Sequence, residues 1–230
     1  MSICPEILRS DRHSVPLART DLCVENHLTI ISSTLLNDML RRRFLALPLA
    51  LLVGCTPTPV PFRNTDLSGA TFGRGFELRD HDGQSRSLAD FRGRAVIVFF
   101  GYTSCPDICP GTLARLASVM QALGPQAPKV QVLFITLDPE RDSAERLKNF
   151  VPWFHPSFLG LRGDPAETRA VTEEFRVFAA RSRVPGPLGY VIDHSSGAYI
   201  YDPAGHLRLY VKDTASVEDI AADLRQLLSH

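Results

Sequence analysis

The sequence predicts an α/β sandwich, a central mixed β-sheet flanked by helices on both faces, with an N-terminal β-hairpin. Three observations predict it. Two apolar runs, 94–100 and Val130 to Leu137, have the length and the branched and aromatic make-up of buried strands. Between them lies a helical stripe of Leu113, Leu116, Ala117, Met120 and Leu123, the order that strand–helix–strand units require. Beyond them come two more helical patterns, short strands joined by a turn, and a last amphipathic helix. At 44% apolar and 22% charged, the 230 residues suit one globular domain with additional segments. Its 25 basic and 25 acidic residues are interleaved, so no basic stripe recommends nucleic acid as a partner.

Packed elements begin near Asp66. Phe72 to Leu78, the turn Asp80-His81-Asp82-Gly83 and Ser85 to Leu88 read as the hairpin. The strand over 94–100 and the helix from Leu113 to Leu123 follow, and Gly124-Pro125 ends that helix. After the strand Val130 to Leu137, Asp142-Ser143-Ala144-Glu145 has capping-box spacing and opens a helix with Leu147, Phe150 and Val151 on one side. Asp164-Pro165 opens another, with Glu167 in its first turn and Val171, Phe175 and Phe178 as its stripe. Tyr190 to Asp193 and Tyr199 to Asp202 read as short strands, and Pro203-Ala204-Gly205-His206 turns the chain into Leu207 to Val211. Ser216-Val217-Glu218-Asp219 caps the last helix, which carries Ile220, Leu224, Leu227 and Leu228.

Residues 39–54 stand apart from this domain. Arg41, Arg42 and Arg43 precede an apolar run over 44–53, too short to span a bilayer and of the length of a signal-peptide core. Leu52-Val53-Gly54-Cys55 resembles the lipobox of bacterial lipoproteins, which implies that Cys55 is diacylated and becomes the mature N-terminus; two acyl chains suffice for stable anchoring. Arg41-Arg42-Arg43-Phe44-Leu45 also partly resembles a twin-arginine export signal, from which Leu40 and Ala46 depart. Because a signal normally begins a chain, Met39 is the expected start, and 1–38 read as a doubtful leader, with a cytoplasmic extension as the alternative. Cys4, Cys23, His13 and His27 fall in it. Residues 55–65 form the lipidated cysteine and a tether, Thr56-Pro57-Thr58-Pro59-Val60-Pro61 being semi-rigid and extended.

Two cysteines remain for the exported domain. Cys105 and Cys109 sit in Gly101-Tyr102-Thr103-Ser104-Cys105-Pro106-Asp107-Ile108-Cys109-Pro110, where a buried strand hands over to a helix. Pro110 suits the first helical position, with Cys109 near the N-cap, so the helix's positive end faces both sulfurs and favours the thiolates. A Cys-Pro-x-x-Cys-Pro loop is ill suited to core packing. A lone vicinal pair outside the cytoplasm is a disulfide, a redox couple or a metal site. Strands alternating with helices, then a hairpin and a final helix, are what a thioredoxin-type sandwich needs, and the dithiol falls at that fold's active-site loop.

Residues 66–230 resemble a Sco/SenC copper-chaperone domain. Three motifs carry the resemblance: the dithiol loop above, Thr136-Leu137-Asp138-Pro139-Glu140-Arg141-Asp142, and Asp193-His194-Ser195-Ser196 followed by a strand and Asp202-Pro203-Ala204-Gly205. Ser195-Ser196 replaces the usual Ser-Thr. The resemblance implies a thioredoxin-like fold and copper as cargo, with Cys105, Cys109 and His194 as ligands. It also implies a role in assembling the copper centre of cytochrome c oxidase, with that subunit and an upstream periplasmic copper donor or thiol reductant as partners. The chain would be exported and held by Cys55 to the periplasmic or outer face of a bacterial membrane. Two thiolates and one imidazole suit Cu(I), while Cu(II) calls for a further oxygen ligand, for which Asp107 and Asp138 are candidates. Met120 lies on an apolar stripe, which excludes a methionine-rich site.

The other histidines read as structural: His81 and His206 as solvated loop positions, His155 as a packing or surface residue, His230 as terminal. His194 differs, because Asp193 beside it could orient its ring. The same dithiol could close a disulfide, so a membrane-tethered thiol–disulfide oxidoreductase acting on cuproprotein cysteines is the alternative. A peroxiredoxin-type peroxidase is excluded by Tyr102 and Val98, which stand where that family needs Thr or Ser and Pro.

Overall fold

The computed structural model describes residues 60–229. The expected leader, signal segment, Cys55, most of the tether and His230 lie outside the described residues, as do Cys4, Cys23, His13 and His27. Among the described residues no helix is long and apolar enough to cross a membrane.

Ten strands and four α-helices follow one another in this span. The strands are β1 (Thr65–Asp66), β2 (Glu77–Asp80), β3 (Ser85–Ser87), β4 (Ala95–Gly101), β5 (Val130–Thr136), β6 (Leu159–Arg162), β7 (Ala179–Arg183), β8 (Tyr190–His194), β9 (Ala198–Tyr201) and β10 (Leu207–Val211). The helices are α1 (Ile108–Leu123), α2 (Ala144–Phe154), α3 (Pro165–Glu174) and α4 (Val217–Leu227). Eight strands make one mixed sheet in the order β1-β10-β9-β4-β5-β6-β2-β3, with β4, β5 and β6 mutually parallel and the remaining pairs antiparallel. β7 and β8 pair with each other in a separate ribbon.

Every residue of β4 and β5 is buried, as their unbroken apolar runs require of central strands covered on both sides. Alternate side chains then face opposite layers. Phe99 meets Phe134 of β5, which meets Phe150 of α2, while an added Cβ on Gly101 would touch Cys109 of α1. Phe100 points the other way, onto Phe175 just beyond α3 and Tyr199 of β9. Helices α1 and α4 pack on each other, and the buried Asp223 of α4 accepts the Arg63 and Asn64 amides, fastening the start of the domain. The result is the expected thioredoxin-like sandwich, its N-terminal hairpin β2–β3 joined to the sheet edge through β6.

Four local expectations are corrected. Ser143, not Asp142, caps α2, its hydroxyl accepting the Arg146 amide; Asp142 is fully buried behind it. The stripe after Asp164 stops early: α3 ends at Glu174, Arg176 takes a positive φ of 54°, and Phe178 lies exposed beyond that reversal. His81 is buried rather than solvated, its Nδ1 accepting the Gly160 amide of β6 at 3.1 Å. Finally α1 begins at Ile108, so Asp107 holds the cap position and Cys109 and Pro110 lie within the first turn.

Candidate metal centre

The dithiol loop is built as a tight turn followed at once by a helix. The Cys105 amide bonds back to the Tyr102 carbonyl at 3.2 Å, and the Gly111 amide bonds the Asp107 carbonyl at 3.1 Å, the first full turn of α1. Cys109 is fully buried, Cys105 half-buried, and both thiols are free. Gly101 makes room for the inner sulfur: a Cβ there would lie 2.8 Å from Cys109 Sγ and 2.8 Å from Phe134. The loop's leading edge is held by Asp142, whose carboxylate accepts the Thr103 amide (3.0 Å), the Thr103 hydroxyl (2.5 Å) and the Thr136 hydroxyl (2.6 Å).

His194 arrives from the far end of β8. Its Nε2 stands 3.7 Å from Cys109 Sγ, across 85 positions of sequence. Its Nδ1 lies 2.8 Å from the Ser195 carbonyl, and because a carbonyl can only accept, Nδ1 carries the proton. Nε2 therefore turns a free lone pair toward the thiol. The ring meets Tyr102 edge-on, with centroids 6.1 Å apart. A cleft of about 300 Å³ opens over this group, lined by Tyr102, Cys105, Asp107, Ile108, Val191 and His194 among others.

The SCO1/SenC family model matches residues 64–229, which take in the thiol loop, the His194 strand and the whole sheet. The chain belongs to the SCO1/SenC family. It is 39% identical over 167 residues to the mitochondrial protein SCO2 homolog of Mus musculus, matching 71% of this chain and 66% of that one. The human homolog is likewise 39% identical, matching 63% of its length, so the chain spans slightly under two thirds of these curated relatives. Among solved structures, Bradyrhizobium japonicum ScoI with copper bound is 36% identical, with a TM-score of 0.63 over 68% of this chain and 99% of that one. Yeast Sco1 is 31% identical, with a TM-score of 0.63 over 69% of this chain and 98% of the yeast chain.

The two sulfurs of this SCO1/SenC chain are electrostatically unlike. Cys105 accepts from the Cys109 thiol and from the Cys109 and Asp107 amides, which hold its pKa at about 3 against the burial that opposes them. Cys109, donating to that anion and deeply buried, is pushed well above an ordinary thiol. The reduced domain should therefore gain stability as pH rises from about 3 toward 9, where unfolded Cys105 still holds the proton that folded Cys105 has lost. Above about 9 the slope reverses, because folded Cys109 keeps a proton that the unfolded chain sheds. Iodoacetamide should accordingly alkylate Cys105 at a rate nearly flat between about pH 5 and 8, where an ordinary thiol speeds up roughly tenfold per unit. Cys109 should stay unmodified; peptide mass mapping after timed quenching checks both, and a rate at Cys105 that climbs with pH contradicts the assignment.

Of the other candidate residues, Asp107 remains exposed on the cleft. Asp138 does not face it. Its carboxylate is fully buried and engaged by Arg141 Nε and, at 2.8 Å, by the Tyr190 hydroxyl, so the expectation of an extra oxygen ligand there is corrected. Asp193 does not orient the imidazole either: it accepts from the Ser182 hydroxyl across the ribbon, and the Ser195 carbonyl does the orienting. Asp142, expected from the sequence to cap a helix, instead clamps the loop. The one available signal was two threonines, Thr103 and Thr136, each at the end of a central strand beside an acidic turn.

Proposed function

We propose that this chain carries copper on Cys105, Cys109 and His194, and delivers it to the copper centre of cytochrome c oxidase during that enzyme's assembly. One observation supports the reading above the others: the free lone pair of His194 Nε2 aimed at Cys109 from 3.7 Å. First-row metal bonds of about 2.3 Å to sulfur and 2.0 Å to nitrogen, meeting at a trigonal angle, separate the two atoms by about 3.7 Å. The pair thus has the spacing an ion between them needs. Among the described residues no three Cys, His, Asp or Glu side chains are already gathered at metal-holding spacing; Cys105, bonded to the Cys109 thiol at the open cleft, would complete the set. Two thiolates and an imidazole favour Cu(I), and loading requires the dithiol reduced. The Bradyrhizobium relative is solved with copper bound, and the Sco family is described as one of cytochrome c oxidase assembly proteins. Partners would be the oxidase subunit that carries the copper centre and an upstream donor of copper or reductant. The reading includes export and anchoring through a lipidated Cys55, tested by whether Cys55→Ser frees the chain from membranes.

The test is Cu(I) affinity of the reduced chain, measured by competition with a chromophoric chelator. His194→Ala should lower it by at least about tenfold, as loss of one ligand in three implies, while the thiol–disulfide potential stays unmoved. Equal affinity in the variant overturns the reading.

A second reading rests on the half-exposed, low-pKa Cys105 beside a buried thiol. Cys105 thiolate would attack a cuproprotein disulfide, releasing one client thiol; Cys109, losing its proton, would then displace the second. The pair ends as a disulfide and the client is reduced by two electrons. A chain that reduces such a disulfide yet takes up no copper belongs to this reading.

A further inference from the structure

We infer that Arg141 is the positioning residue that sets the His194 imidazole opposite the dithiol, by clamping the ribbon on which His194 rides. The inference rests on the copper reading above. Ribbon β7–β8 shares no ladder with the eight-stranded sheet, and two strands alone are marginally stable in water. Something outside the ribbon has to fix its height over the thiol loop. Side chains two apart on a strand share a face, so Tyr190, Ile192 and His194 all turn the same way. Each meets the body of the domain. His194 reaches Cys109; the buried Ile192 bonds through its amide to the Tyr102 hydroxyl at 3.2 Å; Tyr190 lies on Arg141.

The Arg141 contact is the most elaborate of the three. Its guanidinium carbon lies 3.6 Å from the Tyr190 ring centroid, and Nη1 donates to the Leu188 and Tyr190 carbonyls at 3.0 and 3.1 Å. Nε is paired with the buried Asp138, whose other oxygen takes the Tyr190 hydroxyl. Asp138 itself belongs to a closed turn, its carbonyl accepting the Arg141 and Asp142 amides directly after β5. One flat cation therefore ties a rigid turn at the end of a central strand to both the backbone and the ring that open β8. Four residues of extended chain, ~13 Å, carry that constraint to His194. A lysine could supply the charge, but from one nitrogen it could not hold Asp138 and both carbonyls at once, and it has no plane to stack on Tyr190.

A double-mutant cycle on the full reduced chain tests this, with Cu(I) affinity and, in the metal-free protein, the ring proton and nitrogen shifts of His194 as readouts. R141A should lower Cu(I) affinity at least about tenfold and move the His194 shifts toward those of an unpacked imidazole. R141K, which keeps a cation for Asp138 and so preserves folding, should still lose about threefold. In an H194A background R141A should change affinity less than about twofold, because a residue acting through the imidazole has nothing left to act on. The inference is overturned if R141A leaves affinity and shifts unchanged, or if it weakens binding equally with and without His194. Should H194A itself leave affinity intact, the copper reading fails, while the metal-free shifts still report whether Arg141 places the ring.

Discussion

Asp142→Ala is expected to destabilise the domain by roughly 3–5 kcal/mol, a large share of an ordinary domain's stability margin. The carboxylate is completely buried and is the acceptor for three donors from two separate segments, the Thr103 amide and hydroxyl and the Thr136 hydroxyl. Alanine strands the buried donors at about 1–3 kcal/mol each and leaves a hole where water cannot replace the carboxylate's fixed geometry. Arg146 does not relieve the loss, since it donates to the Thr103 hydroxyl oxygen and cannot accept the stranded proton. Asp142→Asn should recover part of the loss, because one amide oxygen can still accept the Thr103 backbone proton. Urea unfolding of the reduced protein measures both variants. Unchanged midpoints would mean that the thiol loop is held by other contacts. The effect also reaches the site, because Thr103 lies two residues ahead of Cys105.

Gly101→Ala is expected to cost roughly 2–3 kcal/mol and to weaken Cu(I) binding about tenfold or more. The backbone itself accepts alanine, since Gly101 is not among the positive-φ positions. Space forbids it. The new methyl lands 2.8 Å from Cys109 Sγ and 2.8 Å from the Phe134 ring, and both neighbours are fully buried. Either the sulfur moves off its line to His194, or Phe134 moves and disturbs Phe99 and Phe150. Adding Phe134→Leu separates the two effects: stability should partly return while copper affinity stays low. A Gly101→Ala protein with native affinity and native unfolding midpoint would show that the sulfur has room to spare.

The central strands, the helices and their order were legible because each writes its burial in a local period: unbroken apolar runs for β4 and β5, stripes for α1 and α4. The short and polar elements were not. β7 reads Ala-Ala-Arg-Ser-Arg and buries no residue fully, so nothing in its composition marks it as a strand; it forms because β8 pairs with it. Phe178 matched a helical stripe and yet lies exposed, because the Arg176 reversal is a tertiary choice that periodicity does not report. At the site, the dithiol was visible from two cysteines and two prolines. Asp138 read as a candidate oxygen ligand and Asp142 as a helix cap, whereas both are buried acceptors with partners far away in sequence, Tyr190 and Thr103.

What the chain's residues determined unaided was the layered α/β core and the placing of two thiols at a strand-to-helix corner, because apolar period and proline geometry act between near neighbours. What folding in three dimensions decided was the company those thiols keep. An imidazole 85 positions away, a carbonyl that fixes its tautomer, an arginine that clamps its strand and an aspartate that braces the loop all converge there. Such contacts depend on how strands are ordered in the sheet and where a ribbon comes to rest, and no local pattern in a sequence encodes a distance between residues that meet only after the core has closed.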